Sequence, residues 1–210
     1  MRLLDSIHLR VNRGELVFIV GPTDSGKSVL LRLLYKELEP QRGQILVNGR
    51  NIVYLRQERL LQVKREVGII PQGLKGVKYL SDRTVWENVL FKLRILGMPV
   101  SEANNQTEEI LTFAGLNDQG DVLPADLSAL DRERLAIAIA ISNDPLLLIY
   151  DEPFAGLDSS GANTLLSLLR KINDQGMTIV AATQNIEIAE RSGQRVLLLE
   201  DGKLVKLNGD

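Results

Sequence analysis

Eight residues, GPTDSGKS from Gly21 to Ser28, limit this chain more than any other stretch. They follow the apolar run ELVFIV and precede the periodic segment SVLLRLLYKEL. A loop with this spacing of Gly, Gly, Lys and Ser, set between a buried strand and a helix, satisfies G-x-x-x-x-G-K-[ST] in the context the motif requires. Glycine lets the backbone wrap closely around phosphate oxygens, with N–H groups turned inward. The following helix adds the partial positive charge of its N-terminus. The candidate nucleotide-binding residues are therefore Gly21, Pro22, Thr23, Asp24, Ser25, Gly26, Lys27, Ser28 and Val29. A lysine at this position reaches the β- and γ-phosphates, and the Ser28 hydroxyl is a candidate ligand for Mg²⁺.

A second element complements the first. LLLIYDEP, Leu146 to Pro153, is an apolar strand that ends abruptly in two carboxylates. Asp151 is placed to hold Mg²⁺, and Glu152 is a candidate to polarise an attacking water. Such a match is weak alone and strong downstream of a phosphate loop.

The rest of the chain supplies a scaffold of matching size. Its 210 residues suit one sizeable α/β domain. With a net charge of −2 and basic residues scattered, nothing points to a nucleic-acid partner, and none is expected. The absence of cysteine excludes disulfides and cysteine-based metal sites, and fits a reducing compartment. The longest apolar runs, LAIAIAI and PLLLIY, fall far short of the ~20 residues of a spanning helix. ELVFIV, LLLIY, TIVAAT and RVLLLE read as strands, and GQILVNGR as a strand ending in an Asn-Gly turn. SIHLRV alternates, with Ile7, Leu9 and Val11 on one face and His8 and Arg10 on the other, and predicts a half-buried strand with its histidine in solvent. Helical patterns cover 27–38, 84–96, 101–114, 131–142 and 159–173. Strands alternating with helices predict a mostly parallel sheet covered on both faces, beside a small antiparallel sheet. Residues 73–144 are expected to form a helical subdomain, with 1–72 and 145–210 as the core.

In their order and spacing these motifs resemble the ABC (ATP-binding cassette) ATPases. GPTDSGKS is followed by GIIPQ with Gln72, a helical insertion, LSALDRERLAIAIAI, LLLIYDEP, AGLD and ATQN, and together they span nearly the whole chain. The resemblance implies an α/β P-loop NTPase fold with a parallel core sheet, a small antiparallel β subdomain and a helical subdomain. It implies ATP and Mg²⁺ as ligands. It also implies a second cassette, in a homodimer or a heterodimer, docked so that each nucleotide meets the phosphate loop of one chain and the signature segment of the other. Gln72 would then ligate Mg²⁺ and sense a membrane partner, Ser128 would reach the partner's nucleotide, and Asp158 would contact the opposite cassette. A narrower likeness, in LSDRTVWENVLFKLRILGMPVSEA, is to the FtsE-type cassettes of bacterial cell division. It implies a polytopic, FtsX-like permease docking near 73–100 and a location at the cytoplasmic face of the membrane through that partner. Cassettes of lipoprotein release and small-molecule transport share much of the pattern. Trp86, in a helical pattern with Val85, Val89 and Leu93, reads as core or groove lining.

Three departures stand out. The signature segment, L-S-G-G followed by Gln or Glu in the family, is here Leu127, Ser128, Ala129, Leu130 and Asp131. Leu130 is expected to crowd the phosphate, at still greater cost if its φ must be positive, while Ser128 is expected to cap the helix. The switch histidine of the family is Gln184, which donates through its amide but cannot become a cation. The adenine-stacking aromatic that the family carries upstream is missing, Phe18 being the only aromatic before the phosphate loop, so ATP and GTP both stay open. The expected function is an ATP-binding, slowly hydrolysing subunit with Glu152, Gln184 and Gln72 in catalytic roles. The alternatives are a non-catalytic scaffold and a transporter subunit.

Overall fold

The computed structural model describes residues 4–72 and 79–207. In chain order the elements are β1 (Leu16–Val20), α1 (Lys27–Leu34), β2 (Leu46–Val47), β3 (Arg50–Asn51), α2 (Gln57–Arg65), β4 (Val67–Ile70), α3 (Val85–Ile95), α4 (Val100–Ala114), α5 (Ala129–Ile141), β5 (Leu147–Asp151), α6 (Ser159–Asp174), β6 (Thr178–Thr183), α7 (Ile186–Arg191), β7 (Arg195–Glu200) and β8 (Lys203–Lys206). Six strands form one sheet in the order β4-β5-β6-β1-β7-β8, parallel throughout except for the β7–β8 pair. β2 and β3 form the small antiparallel sheet, an α/β arrangement as the sequence predicts. Its two-residue turn places Asn48 at φ 47° and Gly49 at φ 73°, the left-handed pair that suits a tight hairpin.

Every residue of β1 is buried, because both faces of the sheet are covered. Leu16, Phe18 and Val20 pack with Leu148, Tyr150, Ile179 and Ala181 beneath α5 and α6. Ile19, Ile149, Val180 and Ala182 point the other way, beneath Leu30 and Leu31 of α1 and beside Val47 of the hairpin. A third cluster joins α3, α4 and α5 through Val85, Val89, Leu93, Leu111 and Leu135. Trp86 lies partly buried against it, as expected for a packing residue.

Some sequence expectations fail for identifiable reasons. SIHLRV keeps its alternation, with Ile7, Leu9 and Val11 partly buried and His8 and Arg10 exposed, but is not a strand. Alternation reports one-sided burial, and a strand also needs a ladder partner; this segment is tied through the Arg10 carbonyl, which accepts from the Arg195 guanidinium (2.7 Å), and just before it the Asp5 N–H donates to the Gly202 carbonyl (2.7 Å). α1 stops at Leu34 rather than 38, because Lys36 turns left-handed (φ 52°) and the Glu37 and Leu38 N–H groups both return to the Arg32 carbonyl. α2 escapes the apolar periodicity, since Val63 is its only buried residue.

Gly68 in β4 marks a close approach between the sheet and α5. A Cβ there would lie 2.7 Å from the Ala140 carbonyl oxygen and 3.2 Å from side-chain atoms of Leu148 and Pro145. Gly68→Ala should therefore cost about 1–3 kcal/mol, as overpacking does. A lowered urea midpoint at unchanged slope is the expected measurement.

Candidate functional site

The phosphate loop, the DE pair and Gln184 come from three neighbouring strands of the sheet. β1 lies beside β6, β6 lies beside β5, and all three run in the same direction. Their carboxyl ends therefore meet on one edge of the sheet, where open α/β sheets bind ligands. β1 leads into Gly21–Ser28, β5 ends at Asp151, and β6 ends one residue before Gln184.

The loop is tightly drawn. A Cβ on Gly21 would stand 2.4 Å from the Leu199 carbonyl oxygen, so the first glycine is a packing requirement. Asp24 and Gly26 take left-handed φ values of 61° and 100°, and Gly26 caps α1 without a side-chain bond. The first amides of α1, including those of Lys27, Ser28 and Val29, have no intrahelical acceptors. Lys27 is 6% exposed, and its Nζ donates to the carbonyl oxygens of Gly21 (2.8 Å) and Pro22 (2.9 Å). Glu152 Oε1 lies 3.8 Å from the same Nζ. The Ser25 hydroxyl is buried with no hydrogen-bond partner among the described residues.

Asp151 and Glu152 are each 8% exposed. Glu152 holds a left-handed backbone, φ 52°, costing roughly 1–3 kcal/mol for a residue of this type. Its N–H donates to the Ala182 carbonyl (2.8 Å), and its Oε2 accepts from the Gln184 N–H (3.0 Å). The Gln184 side chain in turn accepts from the Thr23 hydroxyl (3.0 Å), so the last of the three strand ends is tied back to the first.

The remaining predicted site residues are engaged locally. Ser128 caps α5, as expected: its Oγ accepts from the Asp131 N–H (3.1 Å) and donates to Asp131 Oδ2 (2.7 Å). Asp158 caps α6, its Oδ1 accepting from the Gly161 N–H at 2.7 Å. Gln72 is exposed two residues beyond β4, and 73–78, part of the expected docking segment, lies outside the described residues. Leu130 packs inward. It sits in the first turn of α5 with ordinary negative φ, and its side chain packs partly buried against the main core. The apolar side chain goes where the core lies, and the polar head of α5 is shaped by Asp131 instead.

Three interactions are not legible in the sequence. Asp131 also accepts from Gln119 Nε2 (3.1 Å) and Arg134 Nη1 (2.9 Å). Tyr150, fully buried one residue before Asp151, donates its phenol to Glu133 of α5. Burial, reinforced by the Glu133 carboxylate, pushes that phenol well above its ordinary pKa. A polar hydroxyl inside the apolar run LLLIY was the available signal, since a buried phenol needs a partner.

A glycine-rich loop joining a central parallel strand to a helix, with a lysine folded inside it and an acidic pair on a strand one removed, defines a P-loop NTPase. A family model described as "ABC transporter" matches residues 4–155. The cell division ATP-binding protein FtsE of Bacillus subtilis is 34% identical over 206 residues, 98% of this chain and 89% of the relative. The methionine import ATP-binding protein MetN 1 of Oceanobacillus iheyensis is also 34% identical, over 97% of this chain but 60% of its own length. Among solved structures, the dimeric cassette MJ0796 bound to ADP and Pi superposes with a TM-score of 0.85 at 30% identity, covering 99% of this chain and 92% of that one. CbiO1 of Clostridium perfringens, part of the transporter complex cbiONQ, gives 0.89 at 28% identity, covering 97% and 80%. The chain belongs to the ABC transporter family of ATP-binding cassettes. Among the described residues no helix is long and apolar enough to cross a membrane.

The head of α5 yields a pH dependence. Partial burial works against the Asp131 charge, but hydrogen bonds from Ser128, Gln119 and Arg134 outweigh it and hold the carboxyl below the usual range. A carboxylate depressed on folding stabilises fully above its unfolded value, near ~4, and loses that contribution as pH falls through the lower folded value. Asp131→Asn should therefore lower the urea midpoint at pH 7, and the gap from wild type should close as the pH is taken below the folded value of Asp131.

Proposed function

We propose that this chain is the ATP-binding and slowly hydrolysing cassette of a membrane-associated complex, of the cell-division type. The observation that carries the reading is the meeting of Lys27, Asp151, Glu152 and Gln184 at the ends of adjacent strands. On this reading Gly21–Val29 bind the nucleotide phosphates, and Lys27 exchanges its loop carbonyls for β- and γ-phosphate oxygens. Glu152 orients and deprotonates water, held at one oxygen by the Gln184 N–H and faced at the other by Lys27.

The donor set fits Mg²⁺, which prefers oxygen and keeps several waters, so that a hydroxyl and one carboxylate beside substrate phosphates suffice. Ser28, Asp151 and Gln72 would hold it, and it would neutralise charge on the phosphates. Among the described residues no cluster of three or more acidic or histidine side chains offers a cage of its own.

Residues 1–72 and 145–210 are read as the nucleotide-binding core, and 73–144 as the helical subdomain. A second cassette would present its Ser128 and Asp158 to this chain's nucleotide. A polytopic, FtsX-like permease would dock near 73–100. In support, Phe91, Ile95, Leu96 and Val100 leave an apolar strip exposed along α3 and the start of α4. In support of the cell-division type, FtsE is matched over 89% of its own length and MetN 1 over 60%. The equal identity to MetN supports a second reading, the ATP-binding subunit of a small-molecule importer.

Nucleotide binding and hydrolysis by the purified chain, alone and with its permease, test the proposal. Glu152→Gln should lower kcat about 10²-fold or more while nucleotide still binds, and Lys27→Ala should abolish binding. A rate indifferent to Glu152→Gln would remove that residue from the chemistry.

A further inference from the structure

Gln184 is held at both ends. Its backbone N–H donates to Glu152 Oε2 at 3.0 Å, and its side-chain Oε1 accepts from Thr23 Oγ1 at 3.0 Å. Thr23 and Lys27 belong to the same loop, and Lys27 Nζ stands 3.8 Å from Glu152 Oε1. These contacts close a ring: Thr23 to Gln184, Gln184 to Glu152, Glu152 to Lys27, and Lys27 back along the loop to Thr23.

The ring constrains an amide that otherwise has two near-equivalent orientations. A primary amide has one accepting end, the oxygen, and one donating end, the NH₂. The amide turns its oxygen to Thr23, so the hydroxyl donates there and the bond holds that orientation. Both hydrogens on Nε2 are then available to an anion above the loop. The reverse orientation would turn oxygen lone pairs toward that anion. Threonine suits the task because its β-branch restricts χ1 and so limits where the hydroxyl oxygen can sit.

We propose that Thr23 is a positioning residue: it sets the Gln184 amide with its NH₂ toward the terminal phosphate and attacking water of a bound nucleoside triphosphate. This rests on the hydrolase reading above. The pair gives a neutral donor where an imidazole would titrate near ~6.5, so the contribution of residue 184 does not change between about pH 6 and 8.

Thr23→Val replaces the hydroxyl with a methyl at similar volume, and Thr23→Ser keeps the hydroxyl. The first readout is the side-chain amide NMR resonance pair of Gln184, identified by its loss in Gln184→Ala. In the nucleotide-free chain the pair should shift in Thr23→Val and stay in place in Thr23→Ser. With Mg²⁺ and a non-hydrolysable ATP analogue it should move further in wild type and Thr23→Ser than in Thr23→Val. The second readout is turnover. Thr23→Val should lower kcat about 5–10-fold, the loss of one neutral hydrogen bond, with KM within about twofold, and should add nothing in the Gln184→Ala background. Thr23→Ser should restore the rate.

A Gln184 resonance indifferent to Thr23→Val overturns the proposal. So does an equal fall of kcat in both backgrounds, or a loss confined to KM, as when the hydroxyl simply binds phosphate. Failure of the chain to bind nucleotide would instead refute the hydrolase reading, while the resonance in the free chain still reports on the pairing.

Discussion

β5, β6 and β1 are hydrogen-bonded neighbours in parallel register, with Asp151 opposite Ala182 and Val20 opposite Thr183. That alignment brings residues 19, 151 and 182 to a common level. A slip of one pair would turn each inward side chain to the wrong face of the sheet. The lysine of the loop, the carboxylate after β5 and the amide after β6 then meet without any long loop having to be ordered. The close fit of Gly21 under the Leu199 carbonyl extends the same alignment to β7.

The cost of this arrangement is concentrated at Glu152. Its left-handed backbone is unfavourable for a residue with a Cβ, yet the bond from its N–H to the Ala182 carbonyl and the bond from Gln184 to its carboxylate hold it there. A straight continuation of β5 would carry the side chain past the loop. The turn at Glu152 aims it back toward Lys27.

What could be read from the sequence follows the range of the interactions. GPTDSGKS and LLLIYDEP are legible because strand, turn and helix signals lie within a few residues of the chemistry. Ser128 as a helix cap is legible for the same reason. The inward packing of Leu130 depends on where the core lies relative to the first turn of α5, which a local pattern does not state. SIHLRV shows that alternation records burial on one side and says nothing of a partner strand. The bond between Thr23 and Gln184 spans 161 residues of chain, and that between Tyr150 and Glu133 joins a strand to a helix; only the fold brings them together.

The carboxylate of Asp131 sits at the positive end of α5, bonded to the hydroxyl that caps it. Such an end attracts anions, and here one is already supplied by the helix itself. An anion arriving from outside competes with a tethered rival whose effective concentration is set by a single side chain and does not fall on dilution. The head of α5 thus carries its own counter-charge, held in place by Ser128, Gln119 and Arg134.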